Sequence, residues 1–147
     1  SYFFSDKAAL KSRVLRTFHN LDTTDALGGE CWRDYEKKID FWIENSDSIQ
    51  SFLNDWQSHS SELRGLIKNP EEIVQGLLVS GSPINFDDLE PEINKLDAVW
   101  AVSNCHLMRN RFVGIDFLEF LGMWTESDSN WVFERATQAI EKVSATR

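Results

Sequence analysis

The sequence is poor in cysteine, glycine and basic residues, and each shortage excludes a class of protein. Its two cysteines, Cys31 and Cys105, are too few for a disulfide framework and too far apart for a CxxC metal site. We therefore expect free thiols and a cytoplasmic protein. The seven glycines form no GxGxxG, GxxxxGK or GxSxG motif, so the usual backbone elements for nucleotide binding and for hydrolase nucleophiles are missing.

Positive charge is also scarce. The 15 lysines and arginines are outnumbered by 24 acidic residues, which gives a formal charge of −9. Such a field repels nucleic acid and anionic lipid surfaces. No apolar run approaches the roughly 18 residues that span a bilayer. We therefore expect neither nucleic acid nor a membrane as a partner.

Length and composition are typical of one globular domain. The chain has 147 residues, of which 41% are hydrophobic, with six tryptophans and ten phenylalanines, enough to bury a single core. We expect one helical domain over residues 1–147. The chain opens on Ser1 without an initiator methionine, which leaves open whether Ser1 is the natural start.

Apolar residues recur at the spacing of helices throughout the chain. Between Ser5 and Leu21 they fall four, four and three residues apart, with Ser5 or Asp6 as the cap. Alternating strands of useful length, internal repeats and low-complexity tracts are missing from the sequence. We predict an all-α fold, an antiparallel or orthogonal array of six to seven helices.

The second predicted helix has its apolar face between Trp32 and Trp42. Lys37 and Lys38 are expected to face solvent and to form ion pairs within the helix. A polar interruption from Asn45 to Ser48 then favours a break between two helices, with one long helix as the alternative.

Two later helices are predicted from proline positions. Asn69 is a suitable N-cap for a helix from Pro70 to Ser80, with the proline in its first turn. Pro91 predicts the first turn of another helix, which should run to about Arg109 with Trp100 in the core.

Positive charge is concentrated in the stretch CHLMRNRF, from Cys105 to Phe112. His106 and Arg109 are three residues apart, so the predicted helix places them on one face, and Arg111 follows where that helix should end. Two guanidiniums and an imidazole can bind a phosphate or a carboxylate. The alternative is that they offset the helix dipole and pair with the excess acids. We predict His106, Arg109 and Arg111 as anion or interface contacts.

Catalytic residues and metal ligands are not predicted. The three histidines belong to no HExxH or HxxxH pairing, so we expect no metal held by this chain alone. Cys105 and His106 are adjacent, and neighbours on a helix point about 100° apart, so they do not form a thiol–imidazole pair. We expect Cys105 to be a buried free thiol.

The segment from Asn69 to Trp124 resembles the C-terminal helical region of sn-glycerol-1-phosphate dehydrogenases, which are relatives of the iron-containing alcohol dehydrogenases. The likeness lies in the turn LLVSGSP, the acidic loop NFDDL, and a helix that ends in cysteine, histidine, two residues and arginine-x-arginine. The stretch ECWRDYEKKIDFW, from Glu30 to Trp42, is similar to an earlier helix of that region. The chain departs from the pattern at Asn110 and Val113, where the family usually has aspartate and threonine.

For a complete protein, the resemblance implies reduction of dihydroxyacetone phosphate with NAD(P) and a divalent metal. The family's nucleotide-binding domain and metal ligands would lie upstream of this chain, which is therefore not expected to bind either cofactor or to be catalytic alone. We expect a helical subunit or C-terminal fragment whose partner is a large subunit or an N-terminal nucleotide-binding domain. The alternative is a stand-alone helical protein-interaction module, and a homo-oligomer is left open.

Overall fold

The protein is built from α-helices in a computed structural model that describes residues 6–146. Of these residues, 74% are helical and none forms a strand, which confirms the all-α prediction. No helix in this part of the chain is both long and apolar enough to span a membrane. The helices are α1 (Lys7–His19), α2 (Ala26–Glu44), α3 (Ser46–Asn54), α4 (Trp56–Leu66), α5 (Pro70–Val79), α6 (Lys95–Asn104), α7 (Gly114–Phe120) and α8 (Glu126–Ser144), with 3₁₀ helices at Phe86–Asp88 and Cys105–Met108.

Single residues separate three of these helices. Asn45 lies between α2 and α3, and Asp55 lies between α3 and α4. The Asn45 side-chain amide donates to the Phe41 carbonyl at 2.8 Å, which satisfies a carbonyl at the end of α2. The predicted break after α2 is therefore confirmed. If α3 and α4, which only Asp55 separates, are counted as one helix, the described residues form seven α-helices, which agrees with the predicted six to seven.

The starts of α1 and α5 agree with those predicted from the sequence. The Asp6 side chain accepts a hydrogen bond from the Ala8 amide at 2.8 Å and caps α1. Ser5, the alternative cap, lies outside the described residues. Helix α5 begins at Pro70 directly after Asn69 and is followed by Gly81, whose φ of +72° suits glycine at a helix end.

The start of α6 differs from the prediction. It begins at Lys95 instead of Pro91, because the Asn94 side-chain oxygen accepts from the Asp97 amide at 2.9 Å and forms the cap. Ala98 is buried on this helix, whereas Trp100 remains 37% exposed. The prediction of Trp100 as a core residue is therefore wrong.

Contacts within the chain define two compact units. Unit 1 comprises residues 6–53 and Ser103–Thr125, and unit 2 comprises Asn54–Val102 and residues 126–146. The single domain expected from the chain length stays a prediction.

The core of unit 1 is dominated by aromatic rings. Trp42 of α2 packs edge-on against Phe120 of α7 at a centroid distance of 5.2 Å, and it stacks on Phe112 at 6.0 Å. Such aromatic pairs contribute about 0.5–1.5 kcal/mol beyond the burial of their area. The buried members are Val14, Phe18, Cys31, Trp32, Tyr35, Ile39, Trp42, Leu107 and Phe120.

Unit 2 has a smaller core, formed where α5 packs against α8. Its buried cluster consists of Val74, Ala139 and Val143. An exposed ion pair between Lys142 and Glu71, at 3.2 Å, joins the same two helices. Exposed pairs of this kind contribute at most about 1 kcal/mol, so packing is the main interaction between these helices.

Alanine substitutions at two adjacent glycines of α2 can test how closely α1 packs on α2. A Cβ atom added at Gly28 would lie 3.2 Å from both Cα and Cδ2 of Leu15, whereas one added at Gly29 would meet nothing within 4 Å. Gly29→Ala should raise the free energy of unfolding by about 0.5–1 kcal/mol, the usual helical gain. Gly28→Ala should gain less or lose stability. Urea denaturation measures both variants, and an equal gain at both positions would contradict the close packing at Gly28.

Candidate functional site

Helix α2 brings a lysine into the core of unit 1. Lys38 is 2% exposed, and its ammonium donates hydrogen bonds to both carboxylate oxygens of Asp116 at 2.9 Å. It also donates to the backbone carbonyl of His106 at 2.5 Å. All three ammonium protons therefore have acceptors, which is the condition under which a buried charge is tolerated.

The sequence-based expectation that Lys38 faces solvent is wrong. Cys31, Tyr35, Lys38 and Trp42 are spaced four, three and four residues apart, so they share one face of α2, and all four are buried. This spacing was the available signal for a buried lysine. Lys37, one position away, is exposed and pairs with Asp34 at 2.9 Å, as expected.

Asp116 is completely buried in the first turn of α7. Its Oδ2 accepts a hydrogen bond from the Val113 amide at 2.8 Å, which satisfies a free N–H at the start of the helix. Burial raises the pKa of Asp116, although the hydrogen bonds from Lys38 and Val113 oppose this shift. The carboxylate thus serves both as the counterion of Lys38 and as the cap of α7.

A second charged group lies one turn further along α7. The Glu119 carboxylate accepts from His106 Nε2 and from the Arg13 guanidinium of α1. Burial disfavours the charged form of Glu119, but the hydrogen bond with His106 and the charges of His106 and Arg13 outweigh it. They hold the pKa of Glu119 below its ordinary value of 4.5.

Two buried polar atoms next to this group have no hydrogen-bond partner among the described residues. They are the Tyr35 hydroxyl and His106 Nδ1, on rings that meet edge-on with centroids 6.3 Å apart. Burial raises the pKa of Tyr35, and the negative charge of Glu119 raises it further. Tyr35 therefore stays a neutral phenol at physiological pH.

The structure separates the three residues predicted as anion or interface contacts. His106 is 2% exposed and belongs to the second 3₁₀ helix, whereas Arg109 and Arg111 are exposed. Helical backbone ends at Met108, and Arg109 is extended with φ −138° and ψ 156°. The predicted shared helix face of His106 and Arg109 is therefore wrong. Contact with an anion or a partner stays a prediction for all three residues.

Other candidate chemistry in the described part of the chain is sparse. No group of three or more His, Cys, Asp and Glu side chains there could hold a metal ion. Neither cysteine forms a disulfide, but Cys105 is exposed, contrary to the expected buried thiol. Burial raises the pKa of the Cys31 thiol, which keeps it protonated and unreactive.

A cavity of about 270 Å³ lies within unit 2. The stacked rings of Phe86 and Phe133, with centroids 5.5 Å apart, form part of its lining. Lys95 and Asp87 also line it. Its volume is near the lower end of small-molecule pockets, at about 300 Å³, but the two opposite charges select no class of ligand.

Comparison with known proteins identifies no relative of this chain. No protein-family model matches it, and no curated protein or solved structure matches it either.

Loss of the buried cation should destabilise the protein strongly. Lys38→Met leaves Asp116 buried without its counterion, and removal of one partner of such a pair costs about 3–5 kcal/mol. The matched control is Lys37→Met, which removes an exposed ion pair and should change stability by less than about 1 kcal/mol. Urea denaturation followed by circular dichroism measures both variants. A similar loss of unfolding free energy in both variants would contradict the burial of Lys38.

Asp116 and Glu119 should affect acid stability in opposite directions. The folded-state pKa of Glu119 is lowered, so its contribution is present above its unfolded pKa and is lost as the pH falls through the folded value. The folded-state pKa of Asp116 is raised, so its contribution is present below its unfolded pKa and is lost as the pH rises through the folded value.

Glu119→Gln should therefore flatten the loss of unfolding free energy between about pH 5 and pH 3, and Asp116→Asn should steepen it. Denaturation curves at a series of pH values measure these slopes. If the slope of unfolding free energy against pH changed in the same direction in both variants, the opposite pKa shifts of Glu119 and Asp116 would be contradicted.

Proposed function

We propose that the chain is the helical subunit or C-terminal part of an NAD(P)-dependent sn-glycerol-1-phosphate dehydrogenase-like protein, and that it is not catalytic alone. The supporting observation is that the stretch Glu30 to Trp42 packs against the last part of the second resembling segment. Lys38, from the first stretch, donates to the carbonyl of His106 and to the carboxylate of Asp116. These residues belong to the core of unit 1, whereas the turn LLVSGSP and the loop NFDDL belong to unit 2.

The second support is the exposed positive charge beside that core. Arg109 and Arg111 are exposed, and neither pairs with a carboxylate among the described residues. In a chain of charge −9, two exposed arginines that pair with no described carboxylate are suited to contact with an external anion or acidic surface. We assign to them the contact with the nucleotide-binding partner or with its phosphate-bearing substrate.

The cofactors of the proposed enzyme belong to its other half. The described residues contain no cluster suited to a metal ion, and the sequence has no glycine-rich dinucleotide motif. NAD(P) and the divalent metal would be held by the large subunit or by an N-terminal nucleotide-binding domain.

A stand-alone helical interaction module is the second candidate. It is favoured by large apolar side chains that remain exposed in unit 2, such as Trp131 at 61% and Leu96 at 82%. Side chains of this kind would be covered in a complex with a protein partner. This module would bind a protein partner without any dehydrogenase chemistry. Monomeric behaviour in light scattering, together with no protein recovered in a pull-down, would count against it.

Reconstitution tests the proposed dehydrogenase. The chain is mixed with a protein that carries a dinucleotide-binding fold and metal-binding histidines, encoded next to it, and NAD(P)H oxidation is followed with dihydroxyacetone phosphate and a divalent metal. We expect a complex and activity that neither protein shows alone. A stable complex without activity would favour the interaction module, and the absence of both would exclude the dehydrogenase.

Arg109→Ala should weaken this complex without unfolding the chain. Loss of one charge-assisted contact should reduce affinity about tenfold, while the free energy of unfolding should change by less than about 1 kcal/mol, as at other exposed sites. Arg64→Ala, at an exposed position of α4, is the control and should leave affinity unchanged. Calorimetric titration gives the affinities, and a large loss of stability with intact binding would show that Arg109 is a structural residue.

A further inference from the structure

The buried Lys38 contacts one residue before and one residue after the loop that carries the two exposed arginines. This loop, residues 109–113, is called the arginine loop below; it follows the second 3₁₀ helix and leads into α7. Lys38 binds the His106 carbonyl before the loop and the Asp116 carboxylate after it. Asp116 in turn binds the amide of Val113, the last residue of the loop. One buried ion pair therefore joins the entry and the exit of the loop.

These contacts allow the loop ends little freedom. If either end moved, the Lys38 ammonium or the Asp116 carboxylate would lose partners while still excluded from water, which is the costly state for a buried charge. Leu107, also at the entry, is completely buried. Within the loop, Phe112 stacks on Trp42 of the core, whereas the arginine side chains form no ion pair with the described residues, so ion pairs of the arginines do not order the loop.

We propose that Lys38 and Asp116 are a positioning pair, which holds the arginine loop in the arrangement that contacts the partner. An ordered loop loses less conformational entropy on binding than a mobile one and therefore binds more tightly. The positioning itself follows from the geometry of unit 1, and its benefit for binding rests on the proposed function.

A role in stability alone makes a different prediction. Replacing both members of a buried ion pair by apolar residues of similar volume is often neutral for stability. The double variant Lys38→Met with Asp116→Leu therefore removes the links to the loop while leaving a packed core. If the pair only stabilises the fold, the loop should behave as in the wild type whenever the variant is folded.

Native-state trypsin cleavage measures the order of the loop directly, because trypsin cuts after arginine. We expect the double variant to be cleaved after Arg109 and Arg111 about tenfold faster than the wild type, since local opening becomes easier. Cleavage after Arg64 in unit 2 is the internal control and should be unchanged. Unchanged cleavage after Arg109 and Arg111 in a folded double variant would overturn the proposal.

Asp116→Asn covers the case in which the double variant does not fold. It is isosteric and keeps one acceptor oxygen, but it leaves the Lys38 charge without a counterion and lowers the global stability. Cleavage after Arg109 and Arg111 is therefore compared with cleavage after Arg64, which reports global unfolding, and this ratio should rise about threefold. An unchanged ratio would again overturn the positioning role.

Binding to the nucleotide-binding partner separates this inference from the proposed function. In the double variant, affinity should fall to the level of Arg109→Ala while the variant stays folded, with a melting temperature lowered only by the loss of the Asp116 cap of α7. Wild-type affinity in a variant with a loosened loop would overturn the positioning role in binding. If the wild-type chain binds no such partner, the proposed function fails, and the cleavage rates still decide whether the pair orders the loop.

Discussion

The contact of a lysine ammonium with an aspartate carboxylate inside unit 1 sets the arrangement of the elements around it. Removing both charges from water costs several kcal/mol per ion, and their attraction offsets this cost only with close geometry and full hydrogen bonding. Lys38 meets that condition with both Asp116 oxygens and the His106 carbonyl, and Asp116 also binds the Val113 amide. Helices α2 and α7 and the second 3₁₀ helix therefore depend on one another.

Charge is distributed around this contact in two layers. Inside, Glu119 joins His106 to Arg13 of α1, so α1 is tied to the same assembly. Outside, Arg109 and Arg111 face solvent on the connection between the buried elements. The basic stretch that is the most informative part of the sequence thus divides into a buried histidine and two exposed arginines. The proposed interface depends on the arginines, and their backbone depends on the buried pair.

Signals between residues that are near in sequence predicted the helices well. The site depends on contacts between residues that are far apart in sequence, and these could not be predicted. The Asp6 cap of α1 and the proline in the first turn of α5 act within a few residues of themselves, so α1 and α5 could be placed from sequence. At Pro91 the local signal misled, because the Asn94 cap competes with it and sets the start of α6. Lys38 was placed in solvent because charged residues usually are, and its partner Asp116 is 78 positions away. Nothing between these two residues indicates that they meet, although the spacing of Lys38 with Tyr35 and Trp42 places it on the buried face.

The order of the chain has a consequence for how this protein is made. Unit 1 is discontinuous, since the whole of Asn54–Val102 is inserted between its two parts. On a ribosome that adds about 5–20 residues per second, Lys38 is synthesised roughly 4 to 16 s before Asp116. During that interval the apolar face of α2 lacks α7 and its lysine lacks a counterion. The nascent first half therefore exposes apolar surface until α7 has been made, and unit 1 completes its folding only after most of the chain has been translated.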